Sequence, residues 1–137
     1  MVRPVRNYHF QMEGGFTRIF VDEISGIEVF KDILSYQTGD AYNTAENDAG
    51  INRYRKIKVR RIVNPQDGDF YNWYRSRGEK RDIIIKILNQ DHEPVVAVKC
   101  KNCIPVRYRL DPLVSDESKV LMEELDILPE GITFEFD

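Results

Sequence analysis

The sequence predicts a mainly β, antiparallel domain with one helix. Two observations carry this. Short runs rich in β-branched and aromatic residues are separated by Gly, Asn, Asp and Pro, the pattern of turn-linked strands. Only one stretch, "NPQDGDFYNWYRSR", places aromatics at helical spacing behind a candidate cap.

Asn7 to Glu13 reads as the first strand, closed by Gly14-Gly15, and Phe16 to Ile24 as the second. Gly26 permits a tight return. Ile27 and Val29 open a third run that continues through Ile33-Leu34-Ser35-Tyr36. Gly39 to Asn52, "GDAYNTAENDAGIN", is polar and aperiodic and reads as a long loop. Loops of that length in compact domains tend to be functional or ordered by a partner. Tyr54 to Val63 is a strand with Ile57, Val59 and Val63 on one face and Lys56, Lys58 and Arg60 on the other. In the helix, Asp67 or Asp69 serves as N-cap, and Phe70, Trp73 and Tyr74 form a stripe that plugs a β core.

Asp82 to Leu88 and Val95 to Cys100 flank "NQDHEP", a hairpin with a short connection. Ile104 to Leu110 follows as another strand after a break near Pro105. Ser115 to Pro129 has a cap, acids in its first turn, strong helix formers and a Pro stop, so propensity favours helix. Read as a strand, its apolar residues share a face only if the phase slips at Glu123-Glu124. Ile132, Phe134 and Phe136 alternate in a final strand.

The bulk numbers exclude several classes. The chain has 137 residues, 42% hydrophobic and 31% charged, with a formal charge of -3. That describes one globular domain over 1–137, not a disordered chain. The near-balance of charge argues against a dedicated nucleic-acid binder. No apolar run has the length of a membrane span, and no secretory h-region follows the basic start. A reducing cytoplasm is the expected compartment of synthesis.

Chemistry is sparse. Cys100 and Cys103 form a C-x-x-C, but residues three apart on an unbroken strand point to opposite faces, and no second ligand pair completes a zinc site. His9 and His92 fall in a strand and in the hairpin turn. "RYRKIKVRR", Arg53 to Arg61, could be a phosphate-binding strand face or a surface paired with acids. Nothing resembles a nucleophile with its base or a phosphate loop. The expectation is no enzyme and no catalytic, cofactor or metal residues.

The order of motifs resembles the tail-tube proteins of contractile phages and the inner-tube proteins of extracellular contractile injection systems. "YHFQMEGG" (Tyr8 to Gly15), "ISGIEV" (Ile24 to Val29), "SYQTGD" (Ser35 to Asp40), "YRKIKVRR" (Tyr54 to Arg61) and "DFYNWY" (Asp69 to Tyr74) carry it in sequence. The most specific stretch is Lys80 to Tyr108, where Cys100 and Cys103 stand at positions at which the family tends to have valine and alanine. "SKVLMEELDILPEGI", Ser118 to Ile132, is similar to a family segment that is a strand, against the helix favoured by propensity. The resemblance implies a small antiparallel β-barrel of two packed sheets with a side helix. It implies homohexameric rings stacked into a hollow tube, with contractile sheath, baseplate and a luminal cargo or tape-measure protein as partners. It also implies assembly in the bacterial cytoplasm and a final place in a virion tail or injection particle. A tube-initiating or baseplate adaptor ring is the alternative, followed by a nucleic-acid-binding barrel using Arg53 to Arg61. Lys56, Lys58 and Arg60 are then expected to be largely matched by acids of the same or a neighbouring subunit.

Overall fold

A computed structural model describes residues 10–14, 17–32 and 51–136. In chain order these form β1 (Phe10–Gly14), β2 (Thr17–Ile19), β3 (Glu23–Ser25), β4 (Val29–Asp32), β5 (Ile51–Tyr54) and β6 (Ile57–Ile62). The helix α1 (Asp69–Arg75) follows, then β7 (Arg81–Leu88), β8 (Pro94–Leu110), β9 (Met122–Leu128) and β10 (Gly131–Phe136). The expected run through Tyr36 and most of the expected loop Gly39 to Asn52 lie outside the described residues, as does His9; Ile51 and Asn52 belong to β5.

All strand pairs are antiparallel. The order is β2-β1-β7-β8-β9-β6-β3, with β10 also on β8 and a separate β4-β5 ribbon. Among the described residues this path is open, with β2 and β3 at its ends. The 17-residue β8 joins the two halves. Its first half pairs with β7 and β10, and Ile104 to Leu110 pairs with β9. The expected break at Pro105 is instead a register shift between Pro105 and Arg107 within one strand. A bulge bends a strand without ending it.

Alternation builds the core. Met12, Ile83, Ile85 and Val98 from one sheet join Ile57, Val59, Leu125 and Ile127 from the other in one buried cluster. Each such side chain contributes roughly 1.5–3 kcal/mol when fully buried. Phe70 and Trp73 of α1 complete it, and the Trp73 indole donates to the Glu79 carbonyl at 2.9 Å. Tyr74, expected on the same stripe, is 42% exposed. A seven-residue helix lying on a sheet buries only the narrow strip centred on Phe70 and Trp73. Neither expected N-cap holds. Gly68 occupies that position, Asp69 is the first helical residue, and Asp67 Oδ1 accepts the Asp69 N–H at 3.0 Å.

The turns follow their residues. In the β7–β8 connection, His92 takes φ 63°. The Asn89 side-chain oxygen accepts the N–H groups of Asp91 and Glu93, both at 2.9 Å. Gly26 has φ +88°, and a Cβ there would stand 2.5 Å from the Lys56 carbonyl oxygen.

The helix that propensity favours over Ser115 to Pro129 does not form. Residues 112–121 are irregular, and Met122 to Leu128 is a strand between β6 and β8. Two flanking ladders and full burial of Leu125 and Ile127 outweigh propensity differences of tenths of a kcal/mol per residue. The strand has no phase slip. The β6–β9 register is unbroken, so Met122 faces away from Leu125 and Ile127, while Glu123 faces the core.

Candidate functional site

The two cysteines are both buried and lie in the same core, contrary to the expectation of opposite faces. Asn102 adopts φ 50°, and the β7–β8 register slips between Arg81 and Ile83. The extra residue re-aims Cys103 inward. Its hydrogen bond with Cys100, together with burial, holds the Cys103 thiol well above the usual range. It is therefore a neutral, inert thiol at ordinary pH. Among the described residues, no group of three His, Cys, Asp or Glu side chains could hold a metal.

The basic cluster is divided by strand alternation. Ile57, Val59 and Arg61 of β6 point into the core, whereas Lys58 and Arg60 point out. Arg61 takes the inward place next to Val59, so the apolar face expected to continue to Val63 ends in a charge. Its Nε donates to Glu123 Oε2 at 2.6 Å and its Nη1 to Asp67 Oδ2 at 3.0 Å. The guanidinium lies 3.9 Å from the Phe70 ring centre. Glu123 Oε1 accepts the Tyr108 hydroxyl at 2.7 Å. Burial, reinforced by the Glu123 carboxylate, pushes the Tyr108 phenol up to about 12. Asp67 is held below the ordinary carboxylate range by the Asp69 N–H and by Arg61. This closed set ties the helix entry to the centre of the second sheet.

The outer face of that sheet carries a second network, set by cross-strand register. Arg60, Glu124 and Arg109 form one row across β6, β9 and β8; Lys58, Asp126 and Arg107 form the next. Arg60 donates to both Asp111 oxygens at 3.0 Å and to Glu124 Oε2 at 3.2 Å. Arg109 Nη2 donates to the same Glu124 oxygen at 2.6 Å, and Lys58 Nζ stands 3.6 Å from Glu124 Oε1. Glu124 and Asp126 are buried although they face outward, because the long cationic side chains on either side cover them. Burial alone would raise the Glu124 carboxyl, but Arg109, Arg60 and Lys58 outweigh it and hold the group below its ordinary value. Arg60 likewise lowers Asp111.

The sequence expectation that this basic face is matched by acids holds for Lys58 and Arg60 within the chain itself. Lys56 has no ion pair among the described residues. A phosphate approaching Arg60 would have to displace two carboxylates. The face is thus poorly suited to gripping a nucleic-acid backbone.

Exposed apolar residues collect elsewhere. Leu113 and Val120, on the irregular connection between β8 and β9, are 78% and 64% exposed. Phe134 and Phe136 project from β10 with ring centres 6.5 Å apart. The outer edge of β10 pairs with no strand among the described residues. An unpaired edge without Pro, Lys or a bulge is a template for another strand.

The sequence matches the T4-like virus tail tube protein gp19 family over residues 6–133. Among curated proteins, none matches the sequence. Among solved structures, the fold is similar to a chain of the extracellular contractile injection system PVC sheath-tube complex in its extended state. The TM-score is 0.79 at 18% identity, covering 98% of this chain and 93% of that one. A chain of the anti-feeding prophage tube-terminating cap gives a TM-score of 0.81 at 17% identity, covering 100% and 94%. Hcp1 from Flavobacterium johnsoniae gives 0.67 at 12% identity, covering 95% and 97%.

Proposed function

Since the chain belongs to the T4-like virus tail tube protein family, and is accordingly a structural tube component rather than an enzyme, we propose that it builds the inner tube of a contractile tail or injection system. The observation that carries this is the family match over residues 6–133. In this reading residues 1–137 are one domain with no catalytic, cofactor or metal residue. Six copies close into a ring, and each subunit's two sheets complete a small β-barrel. Rings stack around a hollow lumen through which cargo or a tape-measure protein passes.

The free strand edges supply the physical motive. Backbone donors and acceptors on an edge are completed at least cost by another strand. A head-to-tail contact between identical copies closes into a ring when its rotation divides the circle, and ring-on-ring stacking remains open-ended. Contractile sheath and baseplate proteins are the partners outside the tube, and assembly takes place in the bacterial cytoplasm before release in a particle. The likeness to a chain of the sheath-tube complex supports the sheath. A tube-initiating or baseplate adaptor ring of the same machine is the second reading, favoured by the similarity to a chain of the anti-feeding prophage baseplate at TM-score 0.79. Negative-stain imaging of the purified protein tests both. A repeated subunit gives rings and long tubes, and a terminal ring gives rings that do not extend. Monomers at high concentration would remove either reading. Gel shift at low and moderate salt should show little retention of nucleic acid.

A further inference from the structure

We propose that Cys100 and Cys103 are an oxidisable dithiol, closed by peroxide into a disulfide that staples β8 at its bulge. The reaction belongs to the folded subunit alone and does not depend on what the chain assembles into.

On a regular strand, residues three apart stand roughly 10 Å from each other and face opposite ways. Here three residues of β8 span two of β7, with Cys100 opposite Ile83 and Cys103 opposite Arg81. The extra residue is taken up at Asn102, at φ 50°. The two Cα atoms are thereby drawn to about two strand rises, roughly 6.8 Å, and the added twist of a bulge shortens the rise further. Disulfides span Cα separations up to about 6.8 Å. Both side chains turn into the same core, at 1% and 0% exposure, and the two thiols are already hydrogen-bonded to each other. The bulge is held from outside. Asp82 Oδ1 accepts the Asn102 N–H at 2.9 Å, Glu130 Oε2 accepts the Asn102 side-chain amide at 3.0 Å, and the Lys101 carbonyl accepts the Glu130 N–H at 2.9 Å. A slip to regular register would turn Cys103 away from Cys100.

The two sulfurs are not equivalent. The hydrogen bond from Cys103 lowers the Cys100 thiol in spite of burial, which makes Cys100 the attacking sulfur. Its sulfur attacks peroxide, the O–O bond breaks, and the departing hydroxide leaves as water with the Cys100 proton. Cys100 is then a sulfenic acid. That step also removes the Cys100 partner that is the foremost cause holding the Cys103 proton. The Cys103 sulfur attacks the Cys100 sulfur, the S–O bond breaks, and a second water carries off the Cys103 proton. Two thiols are oxidised to one disulfide, and one peroxide is reduced to two waters. Peroxide is hardly larger than water and enters through small local openings, whereas alkylating reagents and thiol reductants are shut out by the core. A reducing cytoplasm keeps the pair open, and oxidising surroundings close it.

Mass spectrometry of the full-length protein tests this. The folded protein is treated with hydrogen peroxide, unfolded in the presence of an alkylating reagent, and digested with trypsin without reductant. Cleavage after Lys101 separates the two cysteines, so a disulfide leaves two peptides joined and unalkylated. The joined peptides are expected, and a thiol reductant added before unfolding should leave them joined. The urea midpoint of the oxidised protein should rise, because the bond restricts the unfolded chain. In the Cys103→Ala variant, peroxide should leave a sulfenic acid on Cys100 that dimedone captures, while Cys103 in the Cys100→Val variant should give no adduct. Two alkylated cysteines after peroxide, a disulfide joining two copies, a lowered urea midpoint, or dimedone capture at Cys103 rather than Cys100 would each overturn the proposal and leave the tube reading untouched.

Discussion

Replacing Glu123 by Ala leaves the buried Arg61 guanidinium without its 2.6 Å acceptor and the Tyr108 hydroxyl without its 2.7 Å one. Both members of the ion pair are nearly excluded from water, at 5% and 4% side-chain exposure. Breaking one side of such a pair costs about 3–5 kcal/mol, a large share of the roughly 5–15 kcal/mol that holds a domain folded. The Lys80–Glu130 pair provides the control, because its separation is also 2.6 Å but its side chains are half exposed. Lys80→Ala should cost at most about 1 kcal/mol. Urea unfolding at one fixed low protein concentration compares the two, since assembly adds concentration-dependent stability. Replacing both partners, Arg61→Met with Glu123→Leu, should recover most of the loss, because no buried charge is left unpaired and the Asp67 carboxylate that loses Arg61 is half exposed to water. If Glu123→Ala proves no worse than Lys80→Ala, burial is not what sets the strength of this network, and its assigned role in tying helix to sheet is wrong.

Trp73→Ala should cost about 3–5 kcal/mol, while Tyr74→Ala should stay within about 0.5 kcal/mol, both read from urea midpoints; equal effects would misplace the helix face. Cys100→Val with Cys103→Ala should preserve fold and assembly, and the native thiols should resist a thiol reagent until the protein unfolds; rapid native labelling would contradict their burial. The lowered carboxyls of Asp67, Asp111, Glu124 and Glu130 bind protons more weakly in the folded state than when unfolded. Their stabilisation is therefore complete above the ordinary carboxyl values and is lost as pH falls through the lower folded ones. Thermal scans should show that loss below about pH 4.5. Tyr108 works in the opposite sense. Its folded value is raised to about 12, so the unfolded chain loses that proton first, and stability should fall between about pH 10 and pH 12. Tyr108→Phe should remove that alkaline component.

Much of the fold was legible because its signals are local. The β7–β8 hairpin announces itself through two apolar runs around a turn, and the Phe70–Trp73 spacing marks the buried side of α1. What misled were features decided by tertiary context. Ser115 to Pro129 carries good helix formers, yet the strand wins because β6 and β8 offer ladders on both sides and Leu125 and Ile127 fill the core between them. The bulge at Asn102 cannot be read from C-K-N-C, and it alone reverses which way Cys103 points. Arg61 and Glu123 hide in runs of similar charges. Only alternation counted from Ile57 and Leu125 would have placed both on the core side of adjacent strands, where opposite signs can pair. The outward network was closer to reach, since the basic face of β6 demanded acids, but Asp111 and Glu124 as its partners depend on a register that no local pattern fixes.

The central claim is that identical copies of this chain complete one another's sheets in a closed ring. Electron microscopy of the assembled protein at side-chain resolution tests it most directly. The account predicts rings of six subunits in which strand edges free in one copy are hydrogen-bonded to a neighbour around a continuous inner wall. A monomer at every concentration, or an oligomer whose contacts leave those edges in water, would contradict it.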